Sequence, residues 1–407
     1  MAANPTSEQW RNRMVAELCR PGTVGGEFLS PRVEQALRTV PRHLFIPEAD
    51  LEQAYAPFSP VMTKRDEEQG YVSSVSAPQI QAMMLGQADL RPGQRVLEVG
   101  SGGYNAALIA EVVGPEGEVT TVDIDPDITA RARELLAAGG YDRVRVVTAD
   151  AAQGVEEGAS YDAIIVTAGA WDVPPAWIEQ LTEGGRLVVP LRVRGLTRSI
   201  GFVEHDGSLH STSALMCGFV PMRGADDHRE TLLRLRGTGE IVLSFDEEAP
   251  EEPHLLDHAV RTPRVELWTG VRVTLRELID TLQLYLATTL PGFCVMTVDP
   301  ALDTGTVAPN STRFAMAAVE GGDFAYLVTR RVEGEELVEY GVHAFGPTAE
   351  EFAERVGLRV REWDRDQRGG PGPEIRVYPV SVPVDRLPED LVVTKRHTHV
   401  TFSWPTP

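Results

Sequence analysis

The fold of this chain is decided by residues 95–104, whose sequence is RVLEVGSGGY. The first half, Arg95–Val99, is a short apolar run that predicts a buried β-strand. Gly100, Gly102 and Gly103 then let the backbone turn sharply, and they let a ligand lie against it without a Cβ in the way. A strand followed by such a turn predicts a nucleotide site, although the same pattern also occurs in tight turns that bind nothing.

Beyond this turn, short apolar runs alternate with helical patterns, as in parallel β-α-β units. The predicted strands are Arg95–Val99, Glu118–Val122, Val144–Thr148, Ala163–Thr167 and Arg186–Pro190, and the predicted helices are Asn105–Val113, Pro126–Ala138 and Pro174–Leu181. Two further strands, Ser199–Glu204 and Leu209–Leu215, flank the hairpin signal Asp206-Gly207. The sequence therefore predicts an α/β fold with a doubly wound, mostly parallel sheet that has an antiparallel edge.

The rest of the chain is predicted to add helices before this sheet and a second domain after it. Helices are expected at Glu8–Cys19, Pro31–Val40 and Pro78–Ala88, with a polar loop at Thr63–Gly70. An acidic, turn-rich stretch then marks a boundary. We expect residues 1–93 to supply N-terminal helices and a substrate-binding segment, 94–223 the cofactor-binding α/β core, 224–253 an acidic linker, and 254–407 a C-terminal α+β domain.

The C-terminal domain is predicted from strand-like runs and two helix starts. Thr274 with Glu277, and Thr348 with Glu351, form capping-box patterns. Strand-like runs lie at Phe314–Val319, Phe324–Thr329, Glu336–Val342, Ile375–Val382 and Leu391–Phe402. No catalytic motif stands out in this part, so substrate recognition is its expected role.

Charge and composition narrow the classes of partner. The chain has 407 residues and a formal net charge of -22, so it lacks the broad basic surface that nucleic acid or anionic lipid requires. A basic peptide or a cationic ligand would be attracted, although an acidic balance commonly serves solubility alone. Cys19, Cys217 and Cys294 have neither disulfide nor metal-site spacing. Without a secretory or membrane-spanning pattern, we expect a cytoplasmic protein with no metal, nucleic-acid or membrane partner.

Two acidic residues at the ends of the next strands make the glycine turn more specific. Asp123 ends the second strand, where a carboxylate can accept both hydroxyl groups of a ribose. Asp150 follows the third strand, where it could accept an adenine amino group; either residue could instead cap a helix. The expected cofactor-binding residues are Glu98, Gly100, Ser101, Gly102, Gly103, Asp123, Ile124, Asp150, Ala151 and Thr167.

The spacing of the turn selects among nucleotides. It is not the GxGxxG spacing of dinucleotide sites, and the chain has no GxxxxGKS/T phosphate loop. Glu98 places a negative charge just before the turn, which would repel a pyrophosphate but would suit a sulfonium and an amino group. We therefore expect S-adenosyl-L-methionine as the cofactor and S-adenosyl-L-homocysteine as its product.

Several segments, in order along the chain, resemble the protein-L-isoaspartate O-methyltransferase family. They are VPRHLFIP at 40–47, SVSAP at 74–78, the glycine turn at 96–106, Asp150, Tyr161–Ala168, Gly184–Pro190 and FVPMR at 219–223. The SAP segment is the specific element, because methyltransferases in general share only the later motifs. The resemblance implies a class I methyltransferase fold and esterification of an aspartyl or isoaspartyl carboxylate, followed by loss of methanol to a succinimide.

The resemblance also implies roles for single residues. Ser76, with the backbone of its neighbours, would hydrogen-bond the substrate carboxylate as the catalytic residue. The substrate-binding residues would be Val75, Ala77, Pro78, Gln79, Val220, Pro221 and Met222. A carboxylate is already ionised at neutral pH, so positioning and removal of water are what remain, and His43 is not assigned as a base. Ser76 is also a plausible N-cap for the helix that follows.

Two features depart from the family's pattern. The turn at 100–103 lacks one residue of the family's usual GxGxG, and Gln79 stands where a histidine is common. The added C-terminal domain and the segment Thr63–Asp66 resemble a branch that accompanies lanthipeptide and related ribosomal peptide pathways. That resemblance implies a modified precursor peptide as the partner, whose aspartate becomes isoaspartate. The alternatives are general repair of isoaspartyl proteins and a non-catalytic binding protein with the same fold.

Overall fold

A computed structural model of the chain describes residues 5–23, 26–66, 70–235, 240–247, 249–275, 277, 279–299, 301–302, 304–307, 314–388 and 391–406. The helices are α1 (Ser7–Leu18), α2 (Pro31–Thr39), α3 (Leu51–Ala54), α4 (Pro78–Ala88), α5 (Tyr104–Val113), α6 (Pro126–Ala138), α7 (Pro175–Glu179), α8 (His254–Ala259), α9 (Asp280–Thr289) and α10 (Ala349–Asp366).

The strands form two large sheets and a separate hairpin. They are β1 (Val61–Asp66), β2 (Gly70–Val75), β3 (Arg95–Val99), β4 (Glu118–Asp123), β5 (Arg145–Thr148), β6 (Tyr161–Val166), β7 (Leu181–Val193), β8 (Leu196–His205), β9 (Ser208–Met216), β10 (Thr231–Leu235), β11 (Ile241–Phe245), β12 (Val265–Thr274), β13 (Phe293–Val298), β14 (Ala315–Glu320), β15 (Asp323–Arg331), β16 (Leu337–Phe345), β17 (Glu374–Pro379), β18 (Leu391–Thr394) and β19 (Thr398–Ser403).

The larger sheet carries the parallel core that the sequence predicts. Its strand order is β18-β19-β17-β9-β8-β7-β6-β3-β4-β5. Strands β5, β4, β3, β6 and β7 run parallel, whereas β8 and β9 join β7 in antiparallel pairing. The inner residues of β3 are fully buried, which is the usual environment of a central parallel strand. The expected α/β fold with an antiparallel edge is confirmed.

Local signals account for the elements around the cleft. Asp125 caps α6, since its Oδ1 accepts a hydrogen bond from Asp127 N at 3.0 Å, and Pro126 occupies the first turn, where its missing N–H costs nothing. Asp206 and Gly207 both have positive φ, as the predicted type I′ hairpin requires. The structure reproduces the predicted bounds of β3, α4 and α6, and the cap at Asp125 and Pro126 explains where α6 begins.

The predicted polar loop at Thr63–Gly70 is wrong. Residues 61–66 and 70–75 pair as the antiparallel hairpin β1–β2, while residues 67–69 lie outside the described part. Neither strand alternates cleanly between buried and exposed positions, because the hairpin packs near the glycine turn instead of entering a sheet. A periodicity of two was therefore missing from the sequence.

The second sheet begins inside the segment that was expected to be a linker. Its order is β10-β11-β13-β14-β15-β16-β12, and every pairing in it is antiparallel. The expected linker 224–253 thus contains β10 and β11, whose short apolar runs stand among acidic residues. Helix α10 covers one face of the sheet and buries Phe352, Val356, Val360 and Trp363, which share one side of the helix.

The last strands of the chain return to the first sheet. β17, β18 and β19 extend it beyond β9, so residues 374–403 do not pack as part of the expected domain 254–407. Buried Lys395 fastens this return, because its ammonium donates hydrogen bonds to the carbonyl oxygens of Trp171 and Arg192. A strand pattern in a sequence does not name its partner, so this pairing could not be predicted.

Neither predicted capping box forms in full, although Glu277 Oε2 accepts a hydrogen bond from Thr274 N at 3.4 Å. β12 continues through Thr274, and α9 begins only at Asp280. Thr348 is the N-cap of α10 as expected, but its hydroxyl donates to Asp323 and no side chain caps the helix. Pairing of Thr274 with Leu337 of β16 outweighs the local helix signal.

Three findings bear on possible partners. None of the helices in the described part is both long and apolar enough to cross a bilayer. The same residues contain no group of three His, Cys, Asp or Glu side chains placed to hold a metal ion. Cys19, Cys217 and Cys294 are free thiols.

Candidate functional site

The carboxyl end of β3 opens into a cleft of about 600 Å³, including its mouth. Gly100 has φ of +98°, and a Cβ on it would lie 2.4 Å from Thr167 Oγ1, so a side chain does not fit. The Thr167 hydroxyl lies 3.0 Å from the carbonyl oxygen of Val99 and 3.2 Å from that of Gly100. The turn is thereby fixed from the end of β6, and it presents bare backbone to the cleft.

The cleft combines the glycine turn, the ends of β4 and β6, the hairpin β1–β2 and the segment after β9. The lining residues are Val72, Ser73, Ser74, Val99, Gly100, Ser101, Gly102, Val122, Asp123, Ile124, Ala151, Thr167, Ala168, Val220, Pro221, Met222 and Arg223. Ten residues expected from the sequence are among them: Gly100, Ser101, Gly102, Asp123, Ile124, Ala151, Thr167, Val220, Pro221 and Met222. Eight expected residues lie outside the lining: Val75, Ser76, Ala77, Pro78, Gln79, Glu98, Gly103 and Asp150.

Asp123 joins the glycine turn to the end of β4. Its Oδ2 accepts a hydrogen bond from Ser101 N at 3.2 Å, and its Oδ1 accepts one from Asp125 N at 2.9 Å. Burial raises the pKa of this carboxyl, while the two backbone donors favour its ionised form. Each oxygen keeps a further lone pair, so Asp123 can still accept hydroxyl groups of a ligand.

Ser101 supplies a hydroxyl without a partner. The residue is 1% exposed and lines the cleft, yet its Oγ makes no hydrogen bond within the described part of the chain. A buried polar group left unpaired costs roughly 1–3 kcal/mol, and native structures rarely keep such groups without a ligand or water. Ser101 therefore offers a hydrogen-bonding group to a polar ligand or to a water at this end of the cleft.

Asp150 holds the backbone next to the cleft. Its Oδ1 accepts from Ala152 N at 3.0 Å and caps the short helical turn at 151–153, while its Oδ2 accepts from Ala225 N at 2.8 Å. The capping alternative for this residue is thus confirmed. Asp150 connects the end of β5 to the segment that follows Arg223, and its neighbour Ala151 forms the cleft wall.

Glu98 lies in the centre of the sheet and is fully buried. Its Oε2 accepts a hydrogen bond from the Thr121 hydroxyl at 2.6 Å. Burial raises the pKa of this carboxyl to about 7. The charge that the sequence placed before the glycine turn is therefore only partly developed at neutral pH.

Two cations join the hairpin and the segment after β9 at the mouth of the cleft. Lys64 of β1 pairs with Asp125 at 2.8 Å and with Asp127 at 2.9 Å, and Arg223 lies 3.3 Å from Asp125. Single exposed pairs contribute about 0–1 kcal/mol. Their shared carboxylate nonetheless brings two separate chain segments to the start of α6, so the mouth is partly covered.

Ser76 follows β2 and precedes α4. Its carbonyl oxygen accepts a hydrogen bond from Arg42 Nη2 at 2.9 Å. Ala77, and not Ser76, is the N-cap of α4, and no side chain caps this helix, so the capping alternative for Ser76 is wrong. The hairpin end reaches the glycine turn, since a Cβ on Gly102 would lie 3.8 Å from Val75 Cγ2. Val75 lines a small hollow that adjoins the cleft and shares Ser73, Ser101 and Gly102 with it.

Sequence reasoning missed seven lining residues, of which Ser73, Ser74 and Arg223 are polar; the others are Val72, Val99, Val122 and Ala168. The two serines precede the SAP segment on β2, and their role depends on the hairpin that was expected to be partly a loop. Arg223 is the last residue of the FVPMR segment, so its cationic side chain could have been predicted to line the cleft.

Comparison with known proteins gives one consistent match for the first half of the chain. A family model described as protein-L-isoaspartate(D-aspartate) O-methyltransferase matches residues 11–227. Protein-L-isoaspartate O-methyltransferase 2 of Archaeoglobus fulgidus is 43% identical over 199 residues, which are 48% of this chain and 87% of that protein. The enzyme of the same general name from Hyperthermus butylicus is 39% identical over 244 residues, or 56% of this chain and 97% of that protein.

One solved structure resembles nearly the whole chain. It is named protein-L-isoaspartate O-methyltransferase, has a TM-score of 0.51 and 20% sequence identity, and covers 96% of this chain and 99% of its own. At this identity the likeness concerns the fold alone. The second sheet is therefore an architecture that also occurs in another protein.

Proposed function

This chain belongs to the protein-L-isoaspartate(D-aspartate) O-methyltransferase family, and from that premise we propose that it esterifies an aspartyl or isoaspartyl side chain within a peptide. It has the class I fold of S-adenosyl-L-methionine-dependent methyltransferases and is a carboxyl methyltransferase by membership. One observation carries the proposal: the glycine turn and Asp123 line the cleft together with Ser74, and Val75 lines the hollow that adjoins it.

The cleft residues fit S-adenosyl-L-methionine, which supplies an electrophilic methyl group on a sulfonium when it is bound. The unpaired hydroxyl of Ser101 and the carboxylate of Asp123 would hold polar groups of the ligand. Gly100 leaves backbone exposed where a side chain would collide with Thr167. Ile124 and Ala151 offer apolar surface at the cleft wall, which suits a planar base.

The acceptor requires positioning and not a general base. A side-chain carboxylate with a pKa near 4 is an anion at neutral pH. Ser76 and the backbone of Val75 and Ala77 would orient it, and the segment Val220–Met222 would flank the peptide. The hairpin and Arg223 partly cover the mouth of the cleft, which would limit water around the reacting groups.

Within this activity, we propose a ribosomally made precursor peptide of lanthipeptide type as the substrate. Its methyl ester would lose methanol as a backbone amide nitrogen attacks the carbonyl, and water would then hydrolyse the succinimide to isoaspartate. The support is the resemblance of the segment Thr63–Asp66 to that branch. Repair of isoaspartyl residues in damaged proteins is the second candidate, because the relatives carry that enzyme's name. The second sheet favours neither, since a solved structure of that name matches almost the whole chain.

The test uses the full chain, methyl-labelled S-adenosyl-L-methionine and three peptides of matched sequence. One carries isoaspartate, one carries aspartate, and one carries aspartate inside a thioether ring. Mass spectrometry follows the gain of a methyl group and the later loss of methanol. Methylation confined to the cyclised aspartyl peptide supports tailoring, and efficient methylation of the linear isoaspartyl peptide supports repair. Methylation of none of the peptides contradicts the proposed activity.

A further inference from the structure

The second half of β9 has an edge without a partner strand. β8 pairs with β9 as far as Met216, whereas β17 pairs with β9 only at Leu209 and His210. Within the described part of the chain, no other strand lies beside residues 212–216. These residues are half-buried or exposed, and Met216 is 39% exposed. An open strand edge is a template for an additional strand.

The register shows which backbone groups point to this open edge. Pro190 of β7, which has no N–H, lies opposite Ser199 of β8. Hydrogen-bonded and non-hydrogen-bonded pairs alternate in an antiparallel ladder, so Ser199 directs its N–H and C=O toward Leu215 of β9. The preceding residue, Ala214, therefore directs its own N–H and C=O away from β8.

The open edge lies in a groove between the two sheets. The groove measures about 1930 Å³ including its mouth, and residues 211–215 of β9 form one side of it. Helix α9, the loop 369–373 and residues 403–406 form most of the rest. A second hollow shares Leu215 and Asp280 with the groove and continues it past Met216. The space is therefore long enough to follow the free strand from end to end.

The groove leads toward the reaction cleft. β9 is antiparallel to β8, and β8 is antiparallel to β7, so β9 runs in the direction of the parallel strands. Its carboxyl end thus lies at the sheet edge where the glycine turn opens. Four residues after Met216, Val220 lines the cleft itself. The half of β9 that does not pair with β17 is therefore the half nearer to the cleft.

We propose that this groove binds an extended segment of the polypeptide substrate as an added strand on β9, while the acceptor residue continues into the cleft. The inference rests on the proposed function and deepens it. Glu277 and Glu374 at the groove are ion-paired with Arg368 at 2.6 Å and with Arg376 at 2.8 Å. Two of the three carboxylates that line the groove are thus ion-paired within the chain, and Asp280 is the third. Recognition therefore falls mainly to the backbone, which suits a polypeptide of varied sequence.

The test compares a short isoaspartyl peptide with the same peptide extended at its N-terminus or at its C-terminus. Five free residues span about 17 Å, so an extension of about six residues covers the edge. One of the two extensions should lower KM about tenfold, as two added backbone hydrogen bonds would, with kcat unchanged. A fluorescein-labelled extended peptide gives the same comparison as a Kd, independently of turnover.

Two sets of N-methylated peptides locate the contact without altering the protein. N-methylation of alternate residues in the extension should abolish the gain in one phase and leave it in the other, because only alternate N–H groups face the neighbouring strand. Loss in both phases, or in neither, overturns strand addition.

A variant of the full chain tests the same contact from the other side. Ala214→Pro removes the outward N–H, and Ala214→Val keeps it as the matched control. Because one of the two added hydrogen bonds is lost, the ratio of kcat/KM for the extended and the short peptide should fall from about ten to about three in the proline variant only. If neither extension improves binding while the short peptide is methylated, the groove proposal fails and the proposed activity stands. Sedimentation that shows a dimer, with Ala214→Pro turning it into a monomer, would assign the edge to a second copy and also overturn the proposal.

Discussion

The buried guanidinium of Arg42 donates a hydrogen bond to the carbonyl oxygen of Ser76 at 2.9 Å. The same side chain donates to Ala54 O at 2.7 Å and to Gln81 Oε1 at 2.8 Å, and it lies over the ring of Tyr104. Burial lowers the pKa of Arg42 to about 10, so it stays cationic at neutral pH. One rigid fork therefore fixes the backbone of the segment that is expected to hold the acceptor carboxylate.

Replacing this fork should damage turnover more than cofactor binding. Lysine cannot reach Ala54, Gln81 and Ser76 together, so Arg42→Lys should shift Ser76 and lower kcat about 100-fold, as small misplacements do. The affinity for S-adenosyl-L-homocysteine, measured by calorimetry, should not change. Arg38→Lys is the control, because Arg38 pairs with Glu34 on a partly exposed helix face. If kcat and the affinity for S-adenosyl-L-homocysteine fell together, Arg42 would only stabilise the fold and would not position Ser76.

The unpaired hydroxyl of Ser101 predicts an effect on binding without an effect on stability. Ser101→Ala removes no hydrogen bond made by that hydroxyl within the described residues, so the free energy of unfolding should change by less than about 0.5 kcal/mol. Affinity for S-adenosyl-L-homocysteine should fall about tenfold, as expected for one lost hydrogen bond. Ser199→Ala should instead lower stability and leave cofactor affinity unchanged, because Ser199 Oγ donates a hydrogen bond to Gln87 Oε1 at 2.6 Å between β8 and α4. Unchanged affinity in Ser101→Ala would separate this hydroxyl from the ligand.

Gly100 should tolerate no side chain. In Gly100→Ala the new Cβ would lie 2.4 Å from Thr167 Oγ1 in a backbone conformation with φ of +98°. We expect loss of cofactor binding and a destabilisation of roughly 1–3 kcal/mol. Gly184→Ala tests conformational strain alone, since Gly184 also has positive φ but nothing stands within 4 Å of its Cβ position. Cofactor binding that survives in Gly100→Ala would show that the turn does not contact the ligand.

Glu98 should make stability depend on pH. Its pKa is raised from 4.5 to about 7, so the folded chain binds more protons than the unfolded chain between these values. Stability from this group is therefore greatest below pH 4.5 and is lost as the pH rises to about 7, by about 3 kcal/mol in all.

The change that tests this is Glu98→Gln, which keeps an acceptor for Thr121 but does not titrate. Urea unfolding should show that the free energy of unfolding of the variant rises relative to that of the parent chain between pH 5 and pH 8. The exposed Glu116→Gln serves as control and should follow the parent chain at both pH values. A constant difference between Glu98→Gln and the parent would contradict the buried titration.

The parallel core could be predicted from the sequence because the signals for its strands and helices are local. Asp125 and Pro126 mark the start of α6, and the apolar run of Arg95–Val99 marks a central strand. Features that depend on partners distant in the sequence could not be predicted. The polar hairpin β1–β2 has no buried face to create a period, and the pairing of β17 with β9 joins residues far apart in the chain. The same holds for the site. Asp123 could be predicted from its spacing after the glycine turn, whereas the contact of Arg42 with Ser76 forms only when the chain folds.

The most direct test is a crystal structure of the full chain with S-adenosyl-L-homocysteine and an isoaspartyl peptide. The ligand should lie against Gly100–Gly102, with its ribose at Asp123 and a polar group on Ser101 Oγ. Ser76 Oγ should be about 3 Å from the acceptor carboxylate, an ordinary hydrogen-bond distance. A ligand bound outside the cleft, or Ser76 turned away from a filled site, would contradict the account.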